Sequence, residues 1–385
     1  RTLQAEIQPY LNKPEILVIT GMRRTGKTTL LRAFFDEVES SNKLFLDLEN
    51  PLNQKYFEGG DFENVKFNLE LMGLNFKKQA YLFLDEIQSV KNLPSVLKYL
   101  YDHYQLKAIL TGSSSFYLKN FFSESLVGRK YLFELFPLSF EEFLTFKGLR
   151  LKLPTKKQKV SPVIFKTFSR YYEEYLQFGG FPGVVLKETV EEKKRALEDI
   201  FSSYFQLEVV QLSDFRKTKV IRDLMLLLLE RVGSKVDIQK LSVELGISRP
   251  TLYEYLSFLE GTYFIHLIKP YSKSRDVEIR GAEKVYACDS GLLNHAAKVT
   301  SGTLLENNIF QLLQPQGEIH YFQKKNGGEM DFVLNRTAGF EVKMKATSQD
   351  AARLKTFQKE VKLKESYLIS RHYSQVKHVL YPFQV

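Results

Sequence analysis

Two glycines, a lysine and a threonine near the start of the sequence have the spacing of a phosphate-binding loop. Residues 21–28 read G-M-R-R-T-G-K-T, which matches G-x-x-x-x-G-K-[ST] in full, and they follow the short apolar run Ile16–Ile19. Glycine at these positions lets the backbone turn its amide N–H groups around a phosphate, and a helix is predicted from about Lys27. Lys27 is then expected to reach the β- and γ-phosphates of a nucleotide, and Thr28 to ligate Mg²⁺. The residues predicted to surround the phosphates are Gly21, Arg23, Arg24, Thr25, Gly26, Lys27, Thr28 and Thr29.

Two adjacent acidic residues lie where a fold with a phosphate-binding loop carries its metal ligand. The apolar and aromatic run Tyr81–Leu84 is typical of a buried strand, and Asp85 and Glu86 follow it directly. Downstream of a phosphate-binding loop, this pattern predicts that Asp85 holds Mg²⁺, directly or through water. It also predicts that Glu86 polarises the attacking water. No N-K-x-D motif for reading guanine occurs in the sequence, which favours ATP over GTP.

Length and composition indicate a large protein with several domains. At 385 residues one core is not expected, and the prior is roughly two to four domains. The longest uninterrupted aliphatic run, Leu224–Leu229, is far below the roughly 18 residues of a membrane span. No signal peptide is visible, although the sequence opens at Arg1, so a cytoplasmic protein without membrane contact is expected. The single cysteine, Cys288, excludes an internal disulfide framework and a thiolate zinc site.

Positive charge is concentrated towards the C-terminus. Of the formal charge of +10, about +3 belongs to residues 1–210 and about +7 to residues 211–385. That excess permits contact of the C-terminal half with DNA or RNA. Residues 147–162 are rich in lysine and proline and are predicted to be a surface loop. Its lysines are either solvated or part of a nucleic-acid-binding arm.

The apolar pattern divides the chain into four segments. Residues 1–145 alternate strand-like and helical runs, which predicts a parallel sheet covered by helices, with phosphates at its C-terminal edge. Residues 146–215 are predicted to form a helical lid, 216–275 a winged helix, and 276–385 a restriction-endonuclease-like domain. The predicted fold class is α/β: a P-loop NTPase parallel sheet with a helical lid, followed by a winged helix and a small α/β nuclease-like domain. The strands predicted for the first segment are Ile16–Thr20, Leu44–Leu48, Tyr81–Leu84, Ala108–Thr111 and Tyr131–Leu135.

A helix-turn-helix is predicted between Ile238 and Leu259. Apolar residues recur there at helical spacing, and Gly246 interrupts them where such a motif makes its tight turn. The second helix is expected to begin near Ser248. Among the residues expected to face outwards only Arg249 is basic, and Glu254 would oppose a phosphate. A winged helix is therefore predicted, while DNA reading and a structural or docking role both stay open.

Acidic residues and a lysine in the last segment have the spacing of a second, metal-dependent site. Asp331 begins one predicted strand, and Glu341 and Lys343 lie on one face of the next, because side chains alternate along a strand. Glu306, on the preceding helix, could supply a further carboxylate. Such a group can bind Mg²⁺ and position a water for phosphodiester cleavage, the D-(x)n-E-x-K layout of restriction-endonuclease-like folds. The alternative is a solvated hairpin in which Glu341 and Lys343 form an ordinary ion pair.

Taken together, these motifs resemble those of prokaryotic AAA-type ATPases in the group related to origin-recognition and archaeal ATPases. In that group an ATPase module is joined to a winged helix and a nuclease-like C-terminal domain of unknown function. The resemblance spans nearly the whole chain. It rests on residues 21–29, 82–88, 110–115, 126–129, 137–143, 178–182 and 331–343.

The resemblance implies two roles that spacing alone does not. Ser113, or else Thr111, would contact the γ-phosphate or the attacking water from the end of the fourth strand. Arg129 would be a finger that reaches a nucleotide, that of a neighbouring subunit in a homo-oligomer. The alternative for Arg129 is a surface arginine on a loop at the sheet edge.

Three functions follow from these expectations. The first is an ATPase, using ATP and Mg²⁺, whose nucleotide state controls the C-terminal region. The second is a metal-dependent nuclease switched by ATP. The third is a non-catalytic, nucleotide-gated docking protein of a defence or toxin-like system.

Overall fold

The chain folds into two compact units in the computed structural model, which describes residues 1–58, 61–113, 126, 128–212, 218–324 and 327–385. The first unit comprises residues 1–136 and 257–263, and the second comprises residues 137–256 and 264–385. The first unit thus ends before the boundary predicted at 145, because helix Phe140–Phe146 packs against helices Pro162–Phe178 and Pro182–Val185 of the second unit. Three residues of the motifs that carry the resemblance, Ser114, Ser115 and Val127, lie outside the described residues.

The first unit is built on a five-stranded parallel sheet of order β2-β3-β4-β1-β5, which is typical of P-loop proteins. Each predicted strand is present within two residues of its expected bounds. Strands β1 to β5 are Ile16–Thr20, Lys43–Asp47, Ala80–Asp85, Leu106–Gly112 and Lys130–Glu134. Helices α1 to α5 are Thr2–Ile7, Lys27–Glu37, Pro51–Gln54, Phe62–Leu71 and Leu93–His103.

Helices cover both faces of this sheet. Because side chains alternate along a strand, Val18 packs into one apolar cluster, with helices α4 and α5. Its neighbours Leu17 and Ile19 pack into the opposite cluster, with helix α2. The polar residues that follow the strands are therefore held at one edge by a core on each side.

The second unit begins with a run of helices and ends in a sheet. Its helices α6 to α10 are Phe140–Phe146, Pro162–Phe178, Pro182–Val185, Val190–Tyr204 and Thr218–Glu230, with a π-helix at Phe205–Leu212. Helices α11 to α16 are Ile238–Leu245, Arg249–Gly261, Arg275–Arg280, Ser290–Ala296, Ser301–Leu313 and Ser348–Val361, and residues 257–261 at the end of α12 belong to the first unit. No helix within the described residues is long and apolar enough to cross a membrane.

A small antiparallel sheet joins residues on both sides of the boundary predicted at 275. Strand β6, Ile265–Ile268, pairs with strand β7, Lys284–Ala287, and Lys235 forms an isolated bridge with Lys284. The strand Lys284–Ala287, which lies within the predicted segment 276–385, therefore completes a sheet with the residues that follow the helix-turn-helix. Pairing between strands that are distant along the chain depends on tertiary packing, which the local pattern does not encode.

The last sheet has five strands in the order β12-β11-β10-β9-β8 and is mixed. Strands β8, β9 and β10 pair antiparallel, whereas β10 and β11 are parallel and are connected through helix α16. Apolar side chains of that helix pack on the sheet beside Met330, Val333 and Leu368. Strands β8 to β12 are Ile319–Gln323, Glu329–Leu334, Ala338–Lys343, Glu365–Ser370 and Val379–Leu380.

Candidate functional site

The predicted phosphate-binding residues form a tight loop between β1 and α2. Gly21 has φ 153°, Arg24 has φ 69°, and Gly26, the N-cap of α2, has φ 98°. A Cβ atom on Gly21 would lie only 2.2 Å from the carbonyl oxygen of Leu135. Glycine is thus required at this position both for its torsion and for the close approach of two backbones.

Lys27 is buried in the first turn of α2. Its ammonium group donates to the carbonyl oxygens of Gly21, at 2.9 Å, and Met22, at 3.0 Å. The hydroxyl of Thr25 also donates to the Met22 carbonyl, at 2.8 Å. The loop is therefore closed around a positive charge at a helix N-terminus, an arrangement that suits a phosphate group.

Asp85 lies at the end of β3 beside the start of α2. Its carboxylate accepts hydrogen bonds from the hydroxyl of Thr111 on β4 and from the side chain of Thr28. Burial raises the pKa of Asp85, and these two hydrogen bonds oppose the rise. The two predicted Mg²⁺ ligands, Thr28 and Asp85, are thus in contact, and their oxygen donors are of the hard type that Mg²⁺ prefers.

Glu86 follows Asp85 with a left-handed backbone, φ 52°. Its Oε2 accepts a hydrogen bond from Gln88 Nε2 at 2.5 Å, and the same nitrogen donates to Ser113 Oγ at 3.1 Å. Sequence reasoning assigned no role to Gln88. The local sequence carries no signal of its contact with Ser113, because the two residues are 25 positions apart.

The remaining loop residues are nearer the surface. Arg23 pairs with Glu49 at 3.5 Å, whereas Arg24 and Thr29 are exposed. Contacts of these three side chains with phosphate stay predictions.

Arg129 lies at the opposite edge of the sheet from the loop. Arg129 immediately precedes β5, and the first residue of β5, Lys130, pairs with Ile16 at the start of β1. The phosphate-binding loop instead follows Thr20, at the other end of β1. These ends are about 13 Å apart along the strand. The Arg129 guanidinium makes two hydrogen bonds with Asp102, of 2.7 and 3.1 Å, which lower the pKa of that carboxyl. Arg129 is therefore not brought to the phosphate-binding loop of its own chain.

Three of the four residues of the second predicted site lie together on β9 and β10. Asp331 Oδ2 accepts a hydrogen bond from the Val342 amide at 2.7 Å, and Lys343 Nζ lies 2.8 Å from Glu341 Oε1. Arg353, on helix α16, also donates to Glu341. The hairpin expected from the sequence is thus present, and an additional arginine reaches its acidic residue.

Carboxyl groups are concentrated around this hairpin. Burial raises the pKa of Asp331, and the nearby charges of Glu306 and Glu341 add to the rise. The buried Oε2 of Glu341 has no hydrogen-bond partner among the described residues. However, no group of three His, Cys, Asp or Glu side chains in the described part of the chain could hold a metal ion. Glu306, which accepts a hydrogen bond from Tyr286 at 2.7 Å, therefore does not complete a three-carboxylate metal group.

The parallel sheet, the closed loop and the acid pair are those of a P-loop NTPase domain. A family model described as "AAA domain" (AAA_14) matches residues 13–144. A second model, "Domain of unknown function (DUF8612)", matches residues 169–303 and so crosses the boundaries predicted at 215 and 275.

Relatives occur in archaea and bacteria. The uncharacterized protein MJ1544 of Methanocaldococcus jannaschii is 30% identical over 350 residues, which cover 87% of this chain and 75% of that protein. The chain belongs to the same family as this archaeal protein. An uncharacterized protein of Haemophilus influenzae is 27% identical, with 83% of this chain and 80% of that protein covered.

Among solved structures, the Aeropyrum pernix ORC1 protein in complex with DNA is similar over 80% of this chain and 91% of that chain. The identity is 13% and the TM-score 0.36. AMPPCP-bound DnaA from Aquifex aeolicus covers 67% of this chain and 86% of that chain, at 19% identity and a TM-score of 0.28. Likenesses this distant carry no argument about function.

Proposed function

We propose that this protein binds ATP with Mg²⁺ and hydrolyses it slowly, and that its nucleotide state controls the C-terminal region. The single observation that carries the proposal is the convergence of Lys27, the Thr28–Asp85 contact and Glu86 at one edge of the parallel sheet. Phosphoryl transfer requires a cation that binds the phosphates, oxygen ligands for a metal ion and a carboxylate oxygen that can accept a proton.

Each residue has a role that follows from its position. The loop amides and Lys27 would hold the β- and γ-phosphates, with Lys27 exchanging its bonds to the Gly21 and Met22 carbonyls for bonds to phosphate oxygens. Thr28 and Asp85 would hold Mg²⁺, which neutralises charge on the phosphate oxygens when it is bound.

Glu86 would act as the general base. It would accept a proton from a water whose oxygen attacks the γ-phosphorus, while the bond from that phosphorus to the β–γ bridging oxygen breaks and ADP leaves. The Gln88 amide, bonded to both Glu86 and Ser113, would orient the carboxylate during this step.

Two substitutions test the proposal. Lys27→Ala should weaken ATP binding at least about 100-fold in calorimetry, because it removes the buried cation of the loop. Glu86→Gln should leave the affinity within about threefold but lower phosphate release by about 100-fold or more. The matched control is Lys91→Ala, which removes an exposed lysine. Unchanged ATP affinity in Lys27→Ala would contradict the proposal.

A second candidate function is metal-dependent cleavage of nucleic acid at the C-terminal sheet. It is favoured by the adjacency of Asp331, Glu341 and Lys343 together with the partnerless, buried Oε2 of Glu341. Two carboxylates with bound water are sufficient for Mg²⁺. Strand cleavage should require Mg²⁺ and should be lost in Asp331→Asn and in Lys343→Met. ATP turnover should be retained in both.

The control for the second candidate is Asp276→Asn, which neutralises an exposed acid of the same unit. Cleavage that survives in Asp331→Asn at the wild-type rate would reject this candidate.

We also propose that helices α10, α11 and α12 form a winged helix with strands β6 and β7. The order of these elements and the left-handed Gly246, φ 62°, between the last two helices support this assignment. The bridge between Lys235 and Lys284 supplies the position of a third strand.

A further inference from the structure

We infer that one face of helix α16 (Ser348–Val361) binds the phosphates of a nucleic acid. Residues 343–364 contain seven lysines and arginines and only two acids, Asp350 and Glu360. The resulting charge is +5, although Glu341, just upstream, pairs with Lys343 and Arg353. Such a concentration creates a local positive potential for a polyanion.

Three lysines of this segment lie near the C-terminal end of the helix. Lys355 and Lys359 are four residues apart and project from one face, and Lys362 follows as the C-cap residue, so the three span about 10 Å. All three are exposed, and within the described part of the chain none of them forms an ion pair. We refer to Lys355, Lys359 and Lys362 as the basic face.

Several other basic side chains of the second unit pair with acids. Lys147 and Lys193 pair with Glu174 at 3.0 and 2.7 Å, and Arg231 pairs with Glu244 at 2.7 Å. The basic face differs from these three residues because its lysines are adjacent, exposed and not paired with acids among the described residues. It therefore offers several contacts to one extended anion.

The buried side of the helix indicates whether the basic face binds a membrane surface or a nucleic acid. Leu354, Phe357 and Val361 are buried in the core of the C-terminal sheet. An interfacial membrane helix needs such residues free for insertion between lipids, so a lipid surface is disfavoured. A small phosphate is disfavoured as well, since three separated and exposed lysines do not form a pocket. A phosphodiester polymer can engage them together.

The basic face and Arg353, which contacts the second candidate site, belong to the same helix. Arg353 of this helix donates to Glu341, whereas Lys355, two residues later, projects from another side of the helix. The inference therefore goes beyond the second candidate function, and binding and cleavage can be measured separately.

The test is charge reversal of the basic face in the full chain. Lys355→Glu, Lys359→Glu and Lys362→Glu together should lower the affinity for a labelled oligonucleotide at least about tenfold in fluorescence anisotropy at low salt. The slope of log affinity against log salt should fall by about two for single strands, because three phosphate contacts are lost. Arms with single-stranded DNA, double-stranded DNA and RNA distinguish the form of polymer.

The matched control reverses three exposed lysines elsewhere in the second unit, Lys166, Lys187 and Lys194. This control changes the net charge by the same amount but leaves the basic face intact. It should therefore change the affinity and the salt slope much less. Equal effects in both triple variants would overturn the inference, as would failure of the wild type to bind any oligonucleotide at low salt. Competition by polyglutamate or by anionic vesicles as strong as that by nucleic acid would also overturn it.

Two further readouts separate folding and cleavage from binding. The far-UV circular dichroism spectrum and the melting temperature of the charge-reversed variant should match those of the wild type, which would show that it is folded. Asp331→Asn should retain oligonucleotide binding. If the wild type binds nucleic acid through the basic face but never cleaves it, the nuclease function is rejected and the binding role of the basic face is retained.

Discussion

The carboxylate of Glu86 and the hydroxyl of Ser113 are joined by a single side chain, the amide of Gln88. Its Nε2 lies 2.5 Å from Glu86 Oε2 and 3.1 Å from Ser113 Oγ. Glu86 follows β3 and Ser113 follows β4, which are neighbours in the sheet. The acid expected to polarise water and the hydroxyl expected to contact the γ-phosphate therefore form one hydrogen-bonded unit.

Gln88→Met should slow hydrolysis without weakening nucleotide binding. Methionine has a similar volume but cannot donate to Glu86 or Ser113, so the carboxylate loses its orientation while the phosphate-binding loop is untouched. We expect turnover to fall by about tenfold and the dissociation constant for ATP to change by less than about twofold. Steady-state phosphate release and calorimetry measure the two quantities. Gln105→Met, at an exposed glutamine before β4, is the control. Equal turnover in wild type and Gln88→Met would contradict the prediction.

Arg129→Ala should lower turnover only if Arg129 acts on the nucleotide of another subunit, since it lies at the far edge of its own sheet. We expect a loss of at least about 100-fold, measured at concentrations at which the wild type self-associates in the presence of ATP. Asp102→Ala breaks the same ion pair but leaves the arginine in place, and should retain most of the activity. Normal turnover in Arg129→Ala, or a wild type that stays monomeric, would indicate that Arg129 only forms a surface ion pair with Asp102.

Gly21→Ala should destabilise the first unit and abolish ATP binding. The new methyl group would meet the Leu135 carbonyl at 2.2 Å, and the backbone has φ 153°. Gly73→Ala is the matched control, because Gly73 also has a positive φ, 103°, but nothing lies within 4 Å of an added Cβ. We expect Gly21→Ala to cost at least about 2 kcal/mol more than Gly73→Ala in the free energy of unfolding. Equal costs in chemical denaturation would show that the close approach is unimportant.

His266→Phe should remove part of the loss of stability in acid. Burial lowers the pKa of His266 to about 4, from 6.5 in an unfolded chain. The folded protein therefore favours the neutral imidazole, and its contribution to stability is present above pH 6.5 and is lost as the pH falls towards 4. This loss is at most about 3 kcal/mol.

Phenylalanine at position 266 preserves the ring beside Phe310, whose centroid is 5.6 Å away, but cannot take up a proton. The free energy of unfolding of the variant should therefore fall less than that of the wild type between pH 6.5 and 4. His372→Gln, at an exposed histidine, should follow the wild type. Parallel pH curves for wild type and His266→Phe would refute the assignment.

Much of the fold could be predicted from local signals. The five strands of the first sheet, the loop at 21–28 and the turn at Gly246 were all expected, because apolar period and glycine torsion are properties of a few neighbouring residues. The strand period also anticipated that Glu341 and Lys343 would lie together. For such features the residues that specify the geometry are themselves close in the sequence.

The sequence by itself thus determined the chemistry at the end of each strand, whereas tertiary structure decided which of those side chains meet. The contact of Gln88 with Ser113, the pairing of Arg129 with Asp102 and the reach of Arg353 to Glu341 each join two elements. The pairing of β6 with β7 across the expected boundary at 275 is of the same kind. These contacts depend on the register and packing of whole strands and helices, and no local pattern of residue types specifies them.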